Sequence, residues 1–369
     1  MSQDSARWTD DDVTAHLAAS VPQLGPFGEP EALLGGLLNY AWRVPAEGAD
    51  KGSVVLKVAP PHVADHPEIE LDPARIEFEA RALQALGPDG KLADVVNERA
   101  RAPRLFHIDA ERHALVMEDL GARADLATWA DTADKTPATE LGTRLGAFIG
   151  RLHAQTLGDD EIAEAFDNRA AQTTRKKVQY DAVEGLLREL DTPDAGPLGA
   201  VAREVGERFL KPGRCLIMGD LWPASVLVGE TEEEGPHAGV IDWELAHYGN
   251  PAQDLGHIGA HVWMLTQDAE RAAQRQTLAL ILTAIYEGYA EAAGEALPEL
   301  LAGDVLTEAA VHAGCEILAR AVGTFQEGSP YEGMTRDDDP VREAVLHALT
   351  LLRRPERAAF VTPLKIALL

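Results

Sequence analysis

Two aspartates at the ends of apolar segments have the setting that carboxylate chemistry requires. Asp220 follows the apolar segment 216–218 and precedes another at 226–228. Asp242 follows Val240 and Ile241, again at the end of an apolar segment. We expect these segments to be buried strands whose neighbouring ends face one cleft. One carboxylate would then orient or deprotonate a hydroxyl, and the other would hold Mg²⁺, a hard cation that prefers carboxylate oxygens.

A lysine in the N-terminal part extends this pattern. Lys57 lies within GSVVLKVAP (52–60), a segment typical of a strand, and a lysine among apolar neighbours needs an anionic partner. Glu79 in the following predicted helix is one candidate, Glu77 on another face of that helix is a second, and a nucleotide phosphate is a third. A strand lysine, a helix glutamate and two strand-end aspartates, in this order, are parts of kinase phosphoryl transfer.

The elements that must position these residues differ between two parts of the chain. The first part is predicted to contain a capped helix at 9–18, strands at 35–44 and 52–60, a helix from Asp72 to Gly87, and a hairpin of strands at 102–109 and 113–120. The second part is predicted to contain helices at 139–155, 169–190, 195–210, 270–295, 305–325 and 340–353, with strand-like segments at 214–230 and 237–245. We therefore expect an α+β fold, with a small β-rich lobe at 1–118 and a larger, mainly helical lobe at 119–369.

The composition excludes several classes of protein. The 369 residues are 46% hydrophobic, which excludes disorder of the whole chain, and no run approaches the ~20 apolar residues of a membrane-spanning helix. The net charge of −28 disfavours binding to nucleic acid or to anionic membranes, but not to a cationic small molecule. Because the acids are spread along the whole chain, two explanations stay open: adaptation to high salt, or an ordinary acidic protein from a GC-rich genome.

The N-terminus and the cysteines bear on location. The N-terminal sequence MSQDSARWTDDDVTAHL contains no apolar segment typical of a signal peptide. Two cysteines, Cys215 and Cys315, are too few for a disulfide framework or a zinc site, and we expect them to be buried and inert. The cytoplasm is therefore the expected location.

The motifs resemble those of the aminoglycoside phosphotransferase and choline kinase-like superfamily of small-molecule kinases. The matching residues, in the superfamily's order, are Met218-Gly219-Asp220, Ser225, Ile241-Asp242-Trp243-Glu244, Gly249-Asn250-Pro251 and Asp254-Leu255. The N-terminal part is most similar to methylthioribose kinase, through LLNYAWRV (37–44), VVLKVAPPHV (54–63), PARIEFEARAL (73–83) and ALVMEDL (114–120). The resemblance implies a two-lobed protein-kinase-like fold.

Three departures from the methylthioribose kinase pattern concern the substrate side. Met218 and Trp222 stand where that family has the two histidines of its His-Gly-Asp-Leu-His loop. The family's pair of substrate-reading arginines is reduced here to Arg320. The tryptophan that the family has in the loop before the helix is missing from HPEIELDPA (66–74). The resemblance to methylthioribose kinase therefore supports the predicted fold better than it supports the predicted substrate.

The resemblance also implies a role for each matched residue. Asp220 would be the catalytic aspartate, with Asp254 bracing its loop, and Asp242 would bind Mg²⁺, with Ser225 at the position of a second ligand. Lys57 would contact the ATP phosphates, with Glu79 fixing its position. The backbone of Glu118 to Leu120 would contact adenine, and Asn39 with Gly35 and Gly36 would form the loop over the phosphates.

Several residues have more than one interpretation. Glu244 can face the substrate or a second metal, or pair with an arginine, and Arg320 can clamp substrate or bridge structure. Trp222 and Trp243 are more typical of core or wall than of ligand stacking. Three histidines, at roughly helical spacing after Asp242, are interpreted as surface or wall rather than as a metal site: His247, His257 and His261.

The resulting expectation is an ATP- and Mg²⁺-dependent phosphotransferase that acts on a hydroxyl of a small metabolite. A methylthioribose-like sugar is the first substrate hypothesis, and an aminoglycoside, choline or an amino alcohol is the alternative. A catalytically degraded kinase that binds nucleotide as a sensor or scaffold is the second functional hypothesis, motivated by Met218 and Ser225. A protein kinase is disfavoured, because the interval from Asp242 to Asp254 is too short for a peptide-docking loop. A homodimer is compatible with the sequence.

Overall fold

The computed structural model of the chain describes residues 8–33, 38–50, 52–64, 66–97, 99–231, 233 and 235–369. Two predictions fall partly outside the described residues. They concern the loop glycines Gly35 and Gly36, and the N-terminal sequence considered for a signal peptide, of which residues 1–7 are not described. The chain divides into two compact units. The first unit is Met1–Asp94, Ala102–Arg123 and Ile241–Leu245, and the second unit is Val95–Arg101, Ala124–Val240 and Ala246–Leu369. The predicted boundary between lobes at residues 118 and 119 is a separate statement from this division into units, and it stays a prediction.

The helices and strands are numbered in chain order. They are α1 Asp10–Ser20, β1 Glu31–Leu33, β2 Tyr40–Pro45, β3 Ser53–Val58, α2 Arg75–Ala85, β4 Ala100–Arg101, β5 Leu105–Asp109, β6 Ala114–Glu118, β7 Ala124–Asp125, α3 Leu126–Ala130, α4 Lys135–Gln155, α5 Asp160–Ala165, α6 Arg169–Arg175, α7 Val183–Glu189, α8 Ala195–Phe209, β8 Cys215–Ile217, β9 Val226–Thr231, β10 Gly235–Val240, β11 His247–Gly249, α9 Ala252–Gln267, α10 Arg275–Ala293, α11 Leu297–Leu300, α12 Val305–Ala321, α13 Asp339–Arg353 and α14 Thr362–Ala367.

The first unit is built on an antiparallel sheet of order β1-β2-β3-β6-β5. Trp42 and Val44 alternate with more exposed residues along β2, and their side chains pack with Val13 and Leu17 of α1 in one apolar cluster. The capping box at Thr9 confirms the predicted start of α1. The predicted hairpin is also confirmed, because β5 pairs antiparallel with β6.

The second unit is mainly helical, as the sequence predicts. Helix α12 is buried along nearly its whole length, and its buried residues include a polar row at four-residue spacing, Glu308, His312, Glu316 and Arg320, among apolar ones. Two small sheets accompany the helices, one of order β4-β10-β9-β7 and one that joins β8 to β11. The strands that precede Asp220 and Asp242, β8 and β10, belong to different sheets. However, β9, which follows the Asp220 loop, pairs with β10, and Val226 at its start lies opposite Val240. The expected neighbouring strand ends are therefore present through β9, and the shared cleft stays a prediction.

Two helix predictions need correction. The single helix predicted at 169–190 is divided into α6, a π-helical turn at Lys176–Tyr180, and α7. Helix α9 was not predicted, because Gly256, Gly259 and its histidines give it low intrinsic helix propensity. Burial of almost every residue from Ala252 to Val262 stabilises it instead. Among the described residues, no helix combines the length and apolarity that crossing a membrane requires.

Helices α4 and α10 approach closely because glycines lie at their contact. A Cβ added at Gly146 of α4 would overlap the carbonyl group of Ile285 in α10. We predict that Gly146→Ala lowers the free energy of unfolding by about 1–3 kcal/mol, because the helices must separate to admit the methyl group. Thermal and urea unfolding followed by circular dichroism would measure the loss.

Gly185→Ala is the matched control. Gly185 lies on the exposed side of α7, and an added Cβ there meets no atom within 4 Å. This substitution should leave stability unchanged or raise it by about 0.5–1 kcal/mol, since alanine is the better helix former. Equal effects of the two substitutions would contradict the packing argument.

Candidate active site

In the first unit, a buried lysine is surrounded by three carboxylates. Lys57 Nζ lies 2.9 Å from both carboxylate oxygens of Glu79, 2.7 Å from Asp242 Oδ1 and 3.5 Å from Glu244 Oε2. Lys57 occupies β3 between β2 and β6, and Glu79 comes from α2. The predicted need of Lys57 for anionic partners is thus met by residues from two distant parts of the sequence.

The geometry decides between the two glutamates of α2. Glu79 is fully buried and contacts Lys57, whereas Glu77 pairs with Arg81 at 3.4 Å one helical turn away. A helix places residues two positions apart on different faces, so only one of them can point at β3. Glu79 is therefore the partner of Lys57.

The charges of this group are unbalanced. Burial alone would lower the pKa of Lys57, but Asp242, Glu244 and Glu79 together raise it well above its usual value. Burial raises the pKa of Glu79 to about 8, with Glu244 and Asp242 adding to the effect and Lys57 opposing it. With its pKa raised this far, Glu79 is largely protonated near pH 7, so Asp242 and Glu244 are the two acids that face the single ammonium, and a bound cation would offset the negative charge in excess.

The donor set of the group fits a hard cation. One carboxylate oxygen of each acid lies within 4.8 Å of the others, and oxygen is the ligand atom that Mg²⁺ prefers. Asp242 is the accessible member, with 36% of its side chain exposed, whereas Glu79 and Glu244 are buried. Its backbone has a φ of 65°, a left-handed conformation that aspartate tolerates better than most residues. Asp242 is therefore the acid best placed to meet a ligand.

Asn39 and Arg75 connect the edge of this group to α2. Asn39 Nδ2 donates to Glu244 Oε1 at 2.6 Å, and its Oδ1 accepts from Arg75 at 3.0 Å. The buried Arg75 guanidinium also donates to the carbonyl groups of Leu38 and Pro60. Arg75 thereby fixes the chain on either side of the group. The function of Arg75 was not predicted from the sequence, because an arginine near a helix start carries no sign of burial.

The segment expected to contact adenine is tied down by its neighbours. Asp119 accepts hydrogen bonds from Arg43 at 2.6 Å, Ser53 at 2.7 Å and the backbone N–H of Gly121 at 2.8 Å. Burial alone would raise the pKa of Asp119, but these bonds hold it below its usual value. The chain that leaves β6 is thus fixed at its middle residue.

The two residues named for adenine flank Asp119. The backbone N–H of Glu118 donates to the Arg104 carbonyl at 2.8 Å, and Leu120 is buried. Since the Glu118 N–H already has a partner, the remaining backbone groups of the segment are the ones to test against a nucleotide. The adenine assignment of Glu118 and Leu120 stays a prediction.

In the second unit, Asp254 holds the loop that carries Asp220. Asp254 accepts hydrogen bonds from the backbone N–H groups of Met218 at 2.9 Å and Gly219 at 2.8 Å, and lies 3.2 Å from His153. Gly219 has a φ of 83°, which turns the chain sharply between β8 and Asp220. The expectation that Asp254 braces this loop is confirmed. His153 was missed, since it lies some hundred residues from its partner.

Asp220 itself is held on one side of its carboxylate. Arg175 donates to Asp220 Oδ1 and to the carbonyl of Gly219, and His257 Nε2 lies 3.3 Å from the same Oδ1. Burial alone would raise the pKa of Asp220, but Arg175 and His257 hold it well below the usual range. Within the described part of the chain these contacts all reach Oδ1, so Oδ2 can accept a further hydrogen bond.

Ser225 closes the same loop on itself. Its hydroxyl accepts from the backbone N–H of Trp222 at 3.2 Å and donates to the Trp222 carbonyl at 2.8 Å. The side chain is fully buried in a short 3-10 turn at Pro223–Ser225. These contacts give Ser225 a structural function, and its assignment as a metal ligand stays a prediction.

Trp222 and Arg320 contact each other beside the loop. The Arg320 guanidinium lies 5.0 Å from the centre of the Trp222 ring, and its Nε donates to Glu316 Oε1 at 2.8 Å. His261 lies 5.1 Å from the same ring. Arg320 thus forms a structural bridge between Glu316 and Trp222. The buried Trp243 belongs to the core, and both cysteines are buried and free, as expected.

The three histidines after Asp242 are not on the surface. His247 in β11 and His257 and His261 in α9 are all buried, so the surface alternative was wrong and the wall alternative remains. His257, His261 and Glu316 approach closely enough to hold a metal ion. However, Glu316 already accepts hydrogen bonds from His261, Gln179 and Arg320, and the guanidinium opposes a second cation. We therefore interpret the cluster as a hydrogen-bonded wall.

The comparisons with known proteins identify the family. The model of the APH phosphotransferase enzyme family matches residues 29–294, and the chain belongs to this family. The expected resemblance is thereby confirmed, and the protein is a small-molecule kinase.

Several curated relatives match two thirds or more of the chain, including the following two. 4-hydroxytryptamine kinase of Psilocybe cyanescens is 28% identical over 258 residues, which cover 67% of this chain and 69% of that protein. Methylthioribose kinase of Bacillus pumilus (strain SAFR-032) is 22% identical over 329 residues, which cover 78% of this chain and 77% of that protein.

A solved structure has the same fold. An aminoglycoside 2'-phosphotransferase-IIIa mutant in complex with GDP gives a TM-score of 0.51 at 14% identity, covering 96% of this chain and all of that chain. The predicted α+β kinase-like fold, with a strand-rich part and a larger helical part, is confirmed.

The ion pair of Arg175 and Asp220 makes stability depend on pH. The folded-state pKa of Asp220 lies below its ordinary value of 3.8, so the pair stabilises the fold above that pH and loses its effect as Asp220 is protonated. We predict that Arg175→Met lowers the free energy of unfolding by about 3–5 kcal/mol at pH 7, and that this difference shrinks below about pH 4. Urea unfolding across the pH range measures both.

Arg188→Met is the control for this experiment. Arg188 pairs with Glu184 on the exposed face of α7, and pairs of this kind contribute little. A loss of stability in Arg175→Met that is the same at pH 3 and pH 7 would contradict the ion-pair account.

Proposed function

We propose that this kinase transfers the γ-phosphoryl group of ATP, with Mg²⁺, to a hydroxyl of a small molecule. The observation that carries the proposal is the Lys57 ammonium, bound at once by Glu79 and Asp242. A buried lysine with an excess of acids around it is suited to a polyphosphate that arrives with a divalent cation. Phosphoryl transfer depends mainly on positioning and electrostatics, so a small set of charged groups suffices.

The nucleotide side of the reaction falls to the first unit. In this proposal Lys57 contacts the phosphates, Glu79 fixes its position, and Asp242 holds Mg²⁺ with Glu244 beside it. The cation, when bound, would neutralise charge on the phosphates. Asn39 keeps the Glu244 carboxylate in place through its 2.6 Å hydrogen bond. The backbone after β6 would receive the adenine.

The acceptor side of the reaction falls to Asp220. With Oδ1 held by Arg175 and His257, Oδ2 would accept the hydrogen bond of the attacking hydroxyl. Because the pKa of Asp220 lies well below its usual range, its carboxylate is a weak base. It is better suited to accept a hydrogen bond from the acceptor hydroxyl than to remove the proton of that hydroxyl. We therefore assign Asp220 an orienting function in a reaction that needs little base catalysis.

A hydroxylated amine is the substrate class that we propose first. The relative at 28% identity is a 4-hydroxytryptamine kinase, while the methylthioribose kinase is at 22%. The net charge of −28 attracts a cationic acceptor. Arg320 is engaged with Glu316 and Trp222, which argues against the sugar-reading role expected from methylthioribose kinase. Methylthioribose is the second candidate, followed by aminoglycosides and choline.

The degraded-kinase hypothesis has weak support. Met218 keeps its backbone hydrogen bond to Asp254, and Ser225 keeps the loop closed, so neither residue displaces Asp220. A chain that only sensed nucleotide would have no need of a carboxylate held on one side and open on the other.

The test is release of ADP from Mg-ATP with a panel of acceptors: 4-hydroxytryptamine, methylthioribose, kanamycin and choline. We predict acceptor-dependent release in the wild type and at least about 100-fold lower kcat in Asp220→Asn, because an amide cannot hold the hydroxyl as a carboxylate does. Binding of ATP should be unchanged, since the nucleotide contacts are assigned to the first unit.

The exposed Asp160→Asn substitution in α5 serves as the control and should keep full activity. Acceptor-dependent release that persists in Asp220→Asn would refute the role of Asp220. ATP binding without turnover on any acceptor would favour the sensor.

A further inference from the structure

A buried arginine holds two segments of the first unit together. Arg75 is 1% exposed and lies at the start of α2. Its Nη1 donates to the carbonyl oxygens of Pro60 at 2.8 Å and Asp72 at 3.1 Å, and its Nη2 donates to that of Leu38 at 2.7 Å. Pro60 follows β3, the strand of Lys57, and Leu38 precedes β2. Arg75 thus joins the chain before β2 to the chain after β3.

The same guanidinium reaches the acids around Lys57 through one amide. Arg75 Nη2 also donates to Asn39 Oδ1 at 3.0 Å, and Asn39 Nδ2 donates to Glu244 Oε1 at 2.6 Å. Asn39 is 7% exposed and Glu244 is 3% exposed, so water has little access to either bond. The other carboxylate oxygen, Glu244 Oε2, lies 3.5 Å from Lys57 Nζ. A row of hydrogen bonds therefore leads from Arg75 to a carboxylate beside Lys57.

The chemistry of the partners fixes the direction of this row. A guanidinium has only donors, so the Asn39 atom that faces Arg75 must be the amide oxygen. The amide nitrogen then faces Glu244, whose oxygen accepts the bond. A rotated Asn39 amide would set donor against donor at Arg75, so the side chain has one possible orientation.

Arg75 keeps its positive charge in this setting. Burial lowers the pKa of Arg75 to about 10, and Glu244, Glu79 and Asp72 oppose the effect. The guanidinium is therefore protonated at pH 7 and keeps all its donors. Because hydrogen bonds in a row polarise one another, its bond to the Asn39 oxygen strengthens the donation from the Asn39 nitrogen to Glu244.

The position of Glu244 matters because it belongs to the same group of acids as Asp242. One oxygen of each lies within 4.8 Å of the other. A carboxylate that is bonded at Oε1 does not rotate freely, so Glu244 Oε2 keeps its place beside Lys57. Mg²⁺ tolerates little variation in the distances and angles of its ligands, and a set of ligands held in advance suits it.

We propose that Arg75 and Asn39 are positioning residues of the nucleotide site. Arg75 holds the Asn39 amide, and Asn39 holds the Glu244 carboxylate where Asp242 and Glu244 would receive the cation of Mg-ATP. Arg75 acts only through its partners, and the side chain of Asn39 acts through Glu244. The proposal rests on the function proposed above.

The first test is ATP binding with and without Mg²⁺, measured by isothermal titration calorimetry on Arg75→Met and Asn39→Leu. We expect each variant to lose most of the gain in affinity, at least about tenfold, that Mg²⁺ gives the wild type, while affinity without Mg²⁺ changes less than about twofold. Removal of a positive charge beside Glu244 would by itself attract a cation more strongly, so a charge effect predicts a larger gain in Arg75→Met. A gain that equals or exceeds that of the wild type in both variants would overturn the proposal.

NMR gives a second test that needs no nucleotide. In protein labelled with ¹⁵N in asparagine, the side-chain amide of Asn39 is assigned by its absence from the spectrum of Asn39→Leu. We expect one of its protons to exchange with solvent at least about tenfold more slowly than a free amide, because it lies in the buried bond to Glu244. Exchange at the rate of a free amide would overturn the proposal. So would equal protection in Arg75→Met, since Arg75 would then not act through Asn39.

Arg81→Met is the matched control. Arg81 lies on the same helix, 44% of its side chain is exposed, and it pairs with Glu77. The substitution should leave ATP binding and the exchange of the Asn39 amide unchanged. If thermal unfolding shows that Arg75→Met is not folded, Asn39→Leu carries the binding test.

The two proposals fail in different ways. A wild type that binds ATP no more tightly with Mg²⁺ than without it would refute the proposed function. A wild-type gain that both Arg75→Met and Asn39→Leu retain would overturn the positioning role alone.

Discussion

The ion pairs of the Lys57 ammonium with its surrounding acids are the interaction on which the proposed nucleotide site depends. The ammonium is buried, and it draws Glu79 of α2 and the Asp242–Glu244 segment to the same strand of the first unit. A buried charge is tolerated only when it is paired, so these residues must meet if the unit is to fold. The same requirement leaves an excess of carboxylates, which makes the folded unit receptive to a cation and its phosphates.

The loop that carries Asp220 is held by a different set of interactions. Its backbone is held by Asp254 and its carboxylate by Arg175 and His257, so both the main chain and the side chain have fixed positions. Among the described residues, Arg175 and His257 both approach Oδ1 of Asp220, whereas both carboxylate oxygens of Asp254 accept hydrogen bonds. The difference lets one loop combine rigidity with an open acceptor.

Local sequence predicted the residues of the site better than it predicted their partners. Lys57, Asp220, Asp242 and Asp254 are recognisable from apolar segments and motif order, because these features are local. Arg75, His153, Arg175 and His257 are not, since their function arises from contacts with residues distant in sequence. The same limit explains the fold: strongly periodic helices such as α4 and α8 were predicted, whereas the glycine-rich α9 depends on burial.

The central claim is that the acids around Lys57 bind ATP through Mg²⁺. Isothermal titration calorimetry of ATP in the presence of Mg²⁺ and in its absence tests this claim without any acceptor. The account predicts at least about tenfold tighter binding with Mg²⁺ in the wild type, and loss of that gain in Asp242→Asn. Binding of ATP that is equally tight with and without Mg²⁺ would contradict it.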